Sequence, residues 1–171
     1  MTPPKEFQSD SDLADLYRDV ILDHFRSSAH RGKAVPPDIS ASGVNPLCGD
    51  QVELTLRLER DRIRQARFEG QGCVISQASS SILSGALEGK TLAEARVLVE
   101  AFKGVMLGSL KTQDLPEDLE EARVLEGVRK YPVRVKCALL CWNTFLEGLR
   151  VHQEGDGKAA FTERADGGGE S

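Results

Sequence analysis

Residues 51–69 read QVELTLRLERDRIRQARFE. Val52, Leu54, Leu56 and Leu58 alternate with Glu53, Thr55, Arg57 and Glu59, the period-two pattern of a half-buried strand over Gln51–Glu59. Arg60-Asp61 leaves room only for a tight connection. Ile63–Glu69 then reads as the return strand, with Ala66 and Phe68 facing inward. Together they predict an antiparallel hairpin, ended by Gly70-Gln-Gly72.

Outward from the hairpin the period changes to that of a helix. On the C-terminal side, Ile75, Ala78, Ser79, Ile82 and Ala86 share one helical face, with Gly85 and Gly89 bracketing its end. The Ser79-Ser80-Ser81 run reads as close helix packing. Thr91-Leu-Ala-Glu94 is a capping box that opens a further helix through about Lys103. Gly104–Gln113 has no clear period. Asp114-Leu-Pro-Glu117 predicts another helix with proline in its first turn, continued by Arg123–Lys130. Pro132 reads as a stop, and a last long helix begins near Val135. On the N-terminal side, Leu13, Leu16, Tyr17, Val20, Ile21, His24 and Phe25 predict a first helix, capped by Ser11 or Asp12 and ending near Ser28. Lys33–Pro46, rich in proline and serine, reads as loop. Segregated strands and helices predict an α+β fold, a small antiparallel sheet with helices packed on one face. The expected organisation is a flexible N-terminus (1–10), a single domain (11–152) and a disordered acidic tail (153–171) that holds five of the sixteen glycines.

Composition narrows the function classes. The chain has 171 residues, enough to bury a core without disulfide staples. Its net charge is −5; in the tail Lys158 and Arg164 stand against Glu154, Asp156, Glu163, Asp166 and Glu170, so −3 belongs to the tail and −2 to the body. A near-neutral body argues against nucleic acid as a partner. The longest apolar runs, such as Ala138–Trp142, fall far short of the ~20 residues of a membrane span. The polar start MTPPKEFQSDSD resembles no secretory or transit signal, so a cytoplasmic, reducing compartment is expected.

The four cysteines then matter as thiols. Cys48 lies in Asn45-Pro-Leu-Cys-Gly-Asp50, just before one strand, and Cys73 lies just after its partner. A hairpin brings its open ends together, so these two cysteines are expected to be neighbours. Cys137, at the start of the last helix, is expected to have its thiolate favoured by unpaired N–H groups. Arg134 and Lys136 flank it with positive charge. Cys48, Cys73, Cys137 and Asp50 can make a tetrahedral zinc site. The four anionic ligands would leave it net negative, which gives Arg134 and Lys136 a compensating role. The same soft donors also suit an iron–sulfur cluster, and a purely structural zinc serving a protein-binding module is a further reading. Cys141, in Leu-Leu-Cys-Trp, reads as a packed thiol. His24 reads as a partly buried helix residue, and His30 and His152 as surface groups.

Three segments carry a resemblance: Asn45-Pro-Leu-Cys-Gly-Asp50, Gly70-Gln-Gly-Cys-Val-Ile-Ser-Gln-Ala-Ser-Ser-Ser81 and Arg134-Val-Lys-Cys-Ala-Leu-Leu140. They resemble the signature motifs of the U-type iron–sulfur assembly family, IscU and SufU, over about Leu16–Arg150. IscU-type scaffolds carry histidine where this chain has Lys136. They are also shorter across Gly104–Lys130, a stretch that resembles the helical insert of the SufU branch. The resemblance to that branch implies zinc on Cys48, Asp50, Cys73 and Cys137, with Cys48 as the sulfur-accepting thiol and Arg134 and Lys136 in electrostatic support. It implies a pyridoxal-phosphate-dependent cysteine desulfurase of the SufS type as donor, and a downstream Suf scaffold. A transient iron–sulfur cluster is the alternative cofactor, with a scaffold role to match.

Overall fold

The computed structural model describes residues 10–155 and 158–163. Its elements are α1 (Asp10–Arg26), β1 (Ile39–Asn45), β2 (Asp50–Glu59), β3 (Arg62–Gln71), α2 (Val74–Leu87), α3 (Leu92–Met106), α4 (Pro132–Glu154) and β4 (Lys158–Thr162). The fold is α+β. The hairpin is the expected one: β2 and β3 pair antiparallel, with Gln51 opposite Gln71 and Glu59 opposite Arg62. Arg60 takes a positive φ at its tip.

Two strands lie where the sequence predicts none. β1 pairs antiparallel with β2, and β4 pairs parallel with β1, giving the order β3-β2-β1-β4. The sheet is therefore mixed rather than purely antiparallel. β1 occupies a stretch expected to be loop. Its alternation is present, but the inward residues Ala41 and Gly43 are small because α4 packs closely there. A Cβ at Gly43 would collide with the Thr144 side chain of α4, and one at Gly148 would press on Ile39 and Ala41. β4 lies in the tail expected to be disordered. Ala159 and Glu163 are buried while Ala160 and Thr162 are exposed, a strand period within a glycine-rich context. Residues 1–9, 156–157 and 164–171, to which the rest of the flexible-end expectation applies, lie outside the described residues.

The helices differ in detail. Pro132 opens α4 instead of stopping the chain before it, since proline needs no N–H donor in a first turn. Glu117–Lys130 is not a regular α-helix but 3-10 turns, broken at Leu119 (φ −110°, ψ 25°). The capping box at Thr91 and Glu94 is formed as expected.

α4 crosses β1, β2 and β4, α2 packs on β3 and α4, and α1 packs on α2. At the centre, Trp142 is fully buried and stacked on Phe102, with ring centroids 4.0 Å apart. The buried serines of α2 explain the run that the sequence shows. Trp142 Nε1 donates to Ser79 Oγ at 2.7 Å, and Ser79 Oγ donates to the Ala138 carbonyl at 2.6 Å. One hydroxyl thus fastens α2 to α4 twice. Ser79→Ala leaves the indole N–H unpaired in the core, so it should cost about 1–3 kcal/mol. Urea unfolding followed by Trp142 emission measures that loss; an unchanged midpoint would contradict the role.

Candidate metal centre

Asp50 opens β2 opposite Asn45, the last pair of the β1–β2 ladder. The connection between them must therefore be tight. The Asn45 carbonyl accepts from Cys48 N (3.2 Å) and Gly49 N (2.9 Å), and Asn45 Oδ1 accepts from Leu47 N at 3.2 Å. Gly49, at φ +72°, completes a turn that holds Cys48 half-buried near its tip. Asn45 itself is fully buried and its Nδ2 lies 4.0 Å from Cys137 Sγ. It is the residue that sequence reasoning passed over, although an asparagine opening a Pro-Leu-Cys-Gly turn is a recognisable side-chain-stabilised turn.

At the other hairpin end, Cys73 is the N-cap of α2. Its sulfur accepts from Ser76 N at 3.4 Å, and its own N–H donates to Asp50 Oδ1 at 3.0 Å. Asp50 is fully buried. A Cβ on Gly72, whose φ is +154°, would collide with the Asp50 carboxylate, so glycine is required for the carboxylate to sit there.

The structure brings Cys48, Asp50 and Cys137 together, one donor atom from each lying within 4.8 Å of the others. Cys137 Sγ is 3.4 Å from Cys48 Sγ, and Cys73 Sγ is 4.0 Å from Asp50 Oδ2. Cys73 lies outside that trio and borders it, hydrogen-bonded to Cys137 and touching Asp50. Two sulfurs on one tetrahedral ion would be about 3.8 Å apart, given Zn–S bonds of about 2.3 Å. The donors are thus already near the spacing of a shared ion. The fully buried carboxylate, whose contacts are the Cys73 N–H and the Cys73 and Cys137 thiols, is the kind of charge that needs a positive partner. Among the described residues the metal-competent group contains no histidine.

Because α4 starts at Pro132, Cys137 lies in its second turn, beyond the unpaired N–H groups. The dipole argument expected for Cys137 passes to Cys73, which sits where Cys137 was expected to sit. A hydrogen bond from Cys137 lowers the Cys73 pKa to about 6 against the opposing effect of burial, helped by the Ser76 N–H. Cys137, as the proton-holding partner, is pushed well up by Cys73 first and by burial next. Cys141 is fully buried and pushed up to about 12 by that burial, in keeping with a packed thiol. The exposed Arg134 guanidinium is held above its usual range by Cys73 first and Cys137 second, which places its charge against the sulfurs. The Lys136 ammonium lies 3.5 Å from the buried Glu163 carboxylate, so it makes an ion pair with the C-terminal segment.

The NifU-like N terminal domain model matches residues 16–138, a span that holds all of these donors. The chain belongs to this family. The zinc-dependent sulfurtransferase SufU of Bacillus subtilis (strain 168) is 37% identical over 85% of this chain and 97% of its own. The iron–sulfur cluster assembly scaffold protein IscU of Streptococcus pyogenes serotype M1 is also 37% identical, over 82% of this chain and 86% of its own. Among solved structures, a putative iron–sulfur cluster assembly scaffold protein for the SUF system from Fervidobacterium islandicum AW-1 has a TM-score of 0.71 at 32% identity, covering 82% of this chain and 99% of its own. The NifU-like match ends at Ala138, so most of α4 and all of β4 lie beyond it.

In metal-free protein, alkylation of Cys73 by iodoacetamide should rise with pH through a midpoint of about 6, because the thiolate forms above its lowered pKa. Cys137→Ala removes the hydrogen bond that contributes most and should move that midpoint upward. Peptide mass spectrometry across a pH series reads both; an unmoved midpoint in Cys137→Ala would reject the proton assignment.

Proposed function

We propose that this chain is a zinc-dependent sulfur acceptor in iron–sulfur cluster assembly, a single functional domain that includes the C-terminal strand β4, working in the cytoplasm. The observation that carries the reading is a half-buried cysteine on a turn, 3.4 Å from a buried cysteine and beside a fully buried carboxylate, in a family where the sulfurtransferase SufU is 37% identical. Cys48, Asp50, Cys73 and Cys137 would hold the metal. Bound zinc would keep the cysteines as thiolates and protect them from oxidation.

The chain's own residues divide the remaining work. The Cys48 sulfur, at the turn tip, attacks the outer sulfur of a donor cysteine persulfide. The donor S–S bond breaks as the bond to Cys48 forms, the donor cysteine leaves as a thiolate, and the transferred sulfur stays on Cys48 as a persulfide. No external oxidant or reductant is needed. Arg134, exposed and facing the sulfurs, attracts the incoming persulfide anion. Leu47, Tyr131 and Val133, each at least half exposed, flank Cys48 and Arg134 in sequence and offer the donor protein an apolar rim. A pyridoxal-phosphate-dependent cysteine desulfurase of the SufS type fits as that donor, with a downstream Suf scaffold as recipient.

Protein purified without added metal should be colourless and carry about one zinc per chain, a stoichiometry that follows from a single four-donor site. Cys137→Ala should lose the metal and Cys141→Ala should keep it, as measured by elemental analysis. Wild-type protein should raise the turnover of a SufS-type desulfurase, and Cys48→Ala should abolish that stimulation while still docking. Full stimulation by Cys48→Ala would sink the acceptor reading. A visible-absorbing cluster that forms in preference to zinc and passes to an apo-protein would replace it with the scaffold reading.

A further inference from the structure

We propose that the C-terminal strand β4, through Glu163, is a strap that positions the Cys48 turn and the Cys137 turn of α4 against each other. The proposal rests on reading those two cysteines as one site. Gly155, at φ +86°, caps α4 in the left-handed conformation, and β4 then runs along the free edge of β1. The register pairs Ser40 with Lys158 and Val44 with Thr162. The next residue, Glu163, makes two attachments. Its N–H donates to the Val44 carbonyl at 2.9 Å, immediately before the Asn45 that organises the Cys48 turn. Its buried carboxylate reaches Lys136 Nζ at 3.5 Å, immediately before Cys137.

One residue thus ties the root of the Cys48 turn to the turn of α4 that carries Cys137. The apolar side of the strand supports this: Ala159 packs with Ala41 and Val151, and Phe161 packs against the main core. The ion pair is well shielded, with side-chain exposures of 16% for Lys136 and 9% for Glu163. Removing Lys136 would take this cation away from the buried Glu163 carboxylate, and removing the Glu163 charge would break the tie to α4, so the contact should be sensitive to single substitutions and tolerant of an exchange that keeps the pair. The pair draws the Lys136 charge toward β4, while the Arg134 guanidinium lies against the sulfurs. Glu163 is a positioning residue, acting on the cysteines through Lys136 and Val44.

The test uses the full chain in metal-free form and reads the rate at which Cys48 is alkylated by iodoacetamide, a quantity independent of sulfur transfer. Trp142 emission checks that the core is intact. E163Q and K136M should each expose Cys48 and raise its rate about three- to tenfold, which corresponds to about 0.7–1.4 kcal/mol in the population of the closed turn. The exchange K136E/E163K should bring the rate back toward wild type. Wild-type rates in both single variants, or an exchange variant as fast as the singles, would overturn the proposal. Should the single variants unfold, the exchange variant decides alone: a folded protein with a slow Cys48 supports the strap, and an unfolded one or a fast Cys48 rejects it. If the strap holds and sulfur transfer fails, the acceptor reading alone falls; if Cys48 accepts sulfur but ignores the pair, the strap alone falls.

Discussion

A single hydrogen bond, from the Cys73 backbone N–H to the buried Asp50 carboxylate at 3.0 Å, joins the entrance of the β-hairpin to its exit. A carboxylate taken wholly out of water must be met by donors or positive charge. The hairpin meets part of that need from its own far end, because antiparallel pairing of β2 and β3 returns residue 71 to the level of residue 51. The bond demands glycine at position 72, where any Cβ would strike the carboxylate. It also sets the residue from which α2 starts, so that the same cysteine caps the helix and borders the metal-competent group. Fold and site are therefore not separable at this corner: the contact that ends the sheet is the contact that begins the chemistry.

The second half of the site comes from α4, and its arrival is a matter of packing distance. Cys137 reaches to 3.4 Å from Cys48 because α4 lies low on the sheet, over Gly43 of β1 and with its own Gly148 against Ile39 and Ala41. Larger residues at those glycines would lift the helix and with it the sulfur. Interiors are packed as densely as organic crystals, so such a lift has no slack to absorb it. The Trp142–Ser79–Ala138 chain of hydrogen bonds then locks α4 laterally onto α2, whose N-cap is Cys73. Two of the cysteines are thus held by elements fastened to each other. Cys48 alone of the three hangs from a turn, half-buried, which suits the thiol proposed to accept sulfur.

The hairpin was legible because its inward positions are leucines, valine, isoleucine and phenylalanine, residues whose alternation with charge is hard to mistake. The meeting of Asp50 and Cys73 at one end of the sheet followed from that hairpin alone. β1 and β4 were illegible for the same physical reason in reverse: where a helix packs closest or a strand sits at an edge, small inward residues such as Ala41, Gly43 and Ala159 break up the apolar alternation, which is then faint on a hydrophobicity scale. Pro132 misled because proline both ends and begins helices, and only the capping geometry tells which. That one-turn error moved the helix-end argument onto the wrong cysteine. The family motifs located the donors but did not reveal Asn45 or Glu163. Asn45 works through a turn that its side chain completes, and Glu163 comes from a tail whose composition looks unstructured.

The fates of Arg134 and Lys136 show what sequence adjacency hides. Both flank Cys137, and both look like charges laid beside a thiolate. On a helix, however, residues three or four apart share a face, whereas neighbours in sequence diverge by about 100°. Arg134 and Cys137 are three apart and face the same way, so the guanidinium meets the sulfurs. Lys136 is the immediate neighbour and is turned aside, toward the edge where β4 delivers a buried carboxylate. Position on the helix therefore decides which cation lies against the sulfurs and which one pairs with the C-terminal strand.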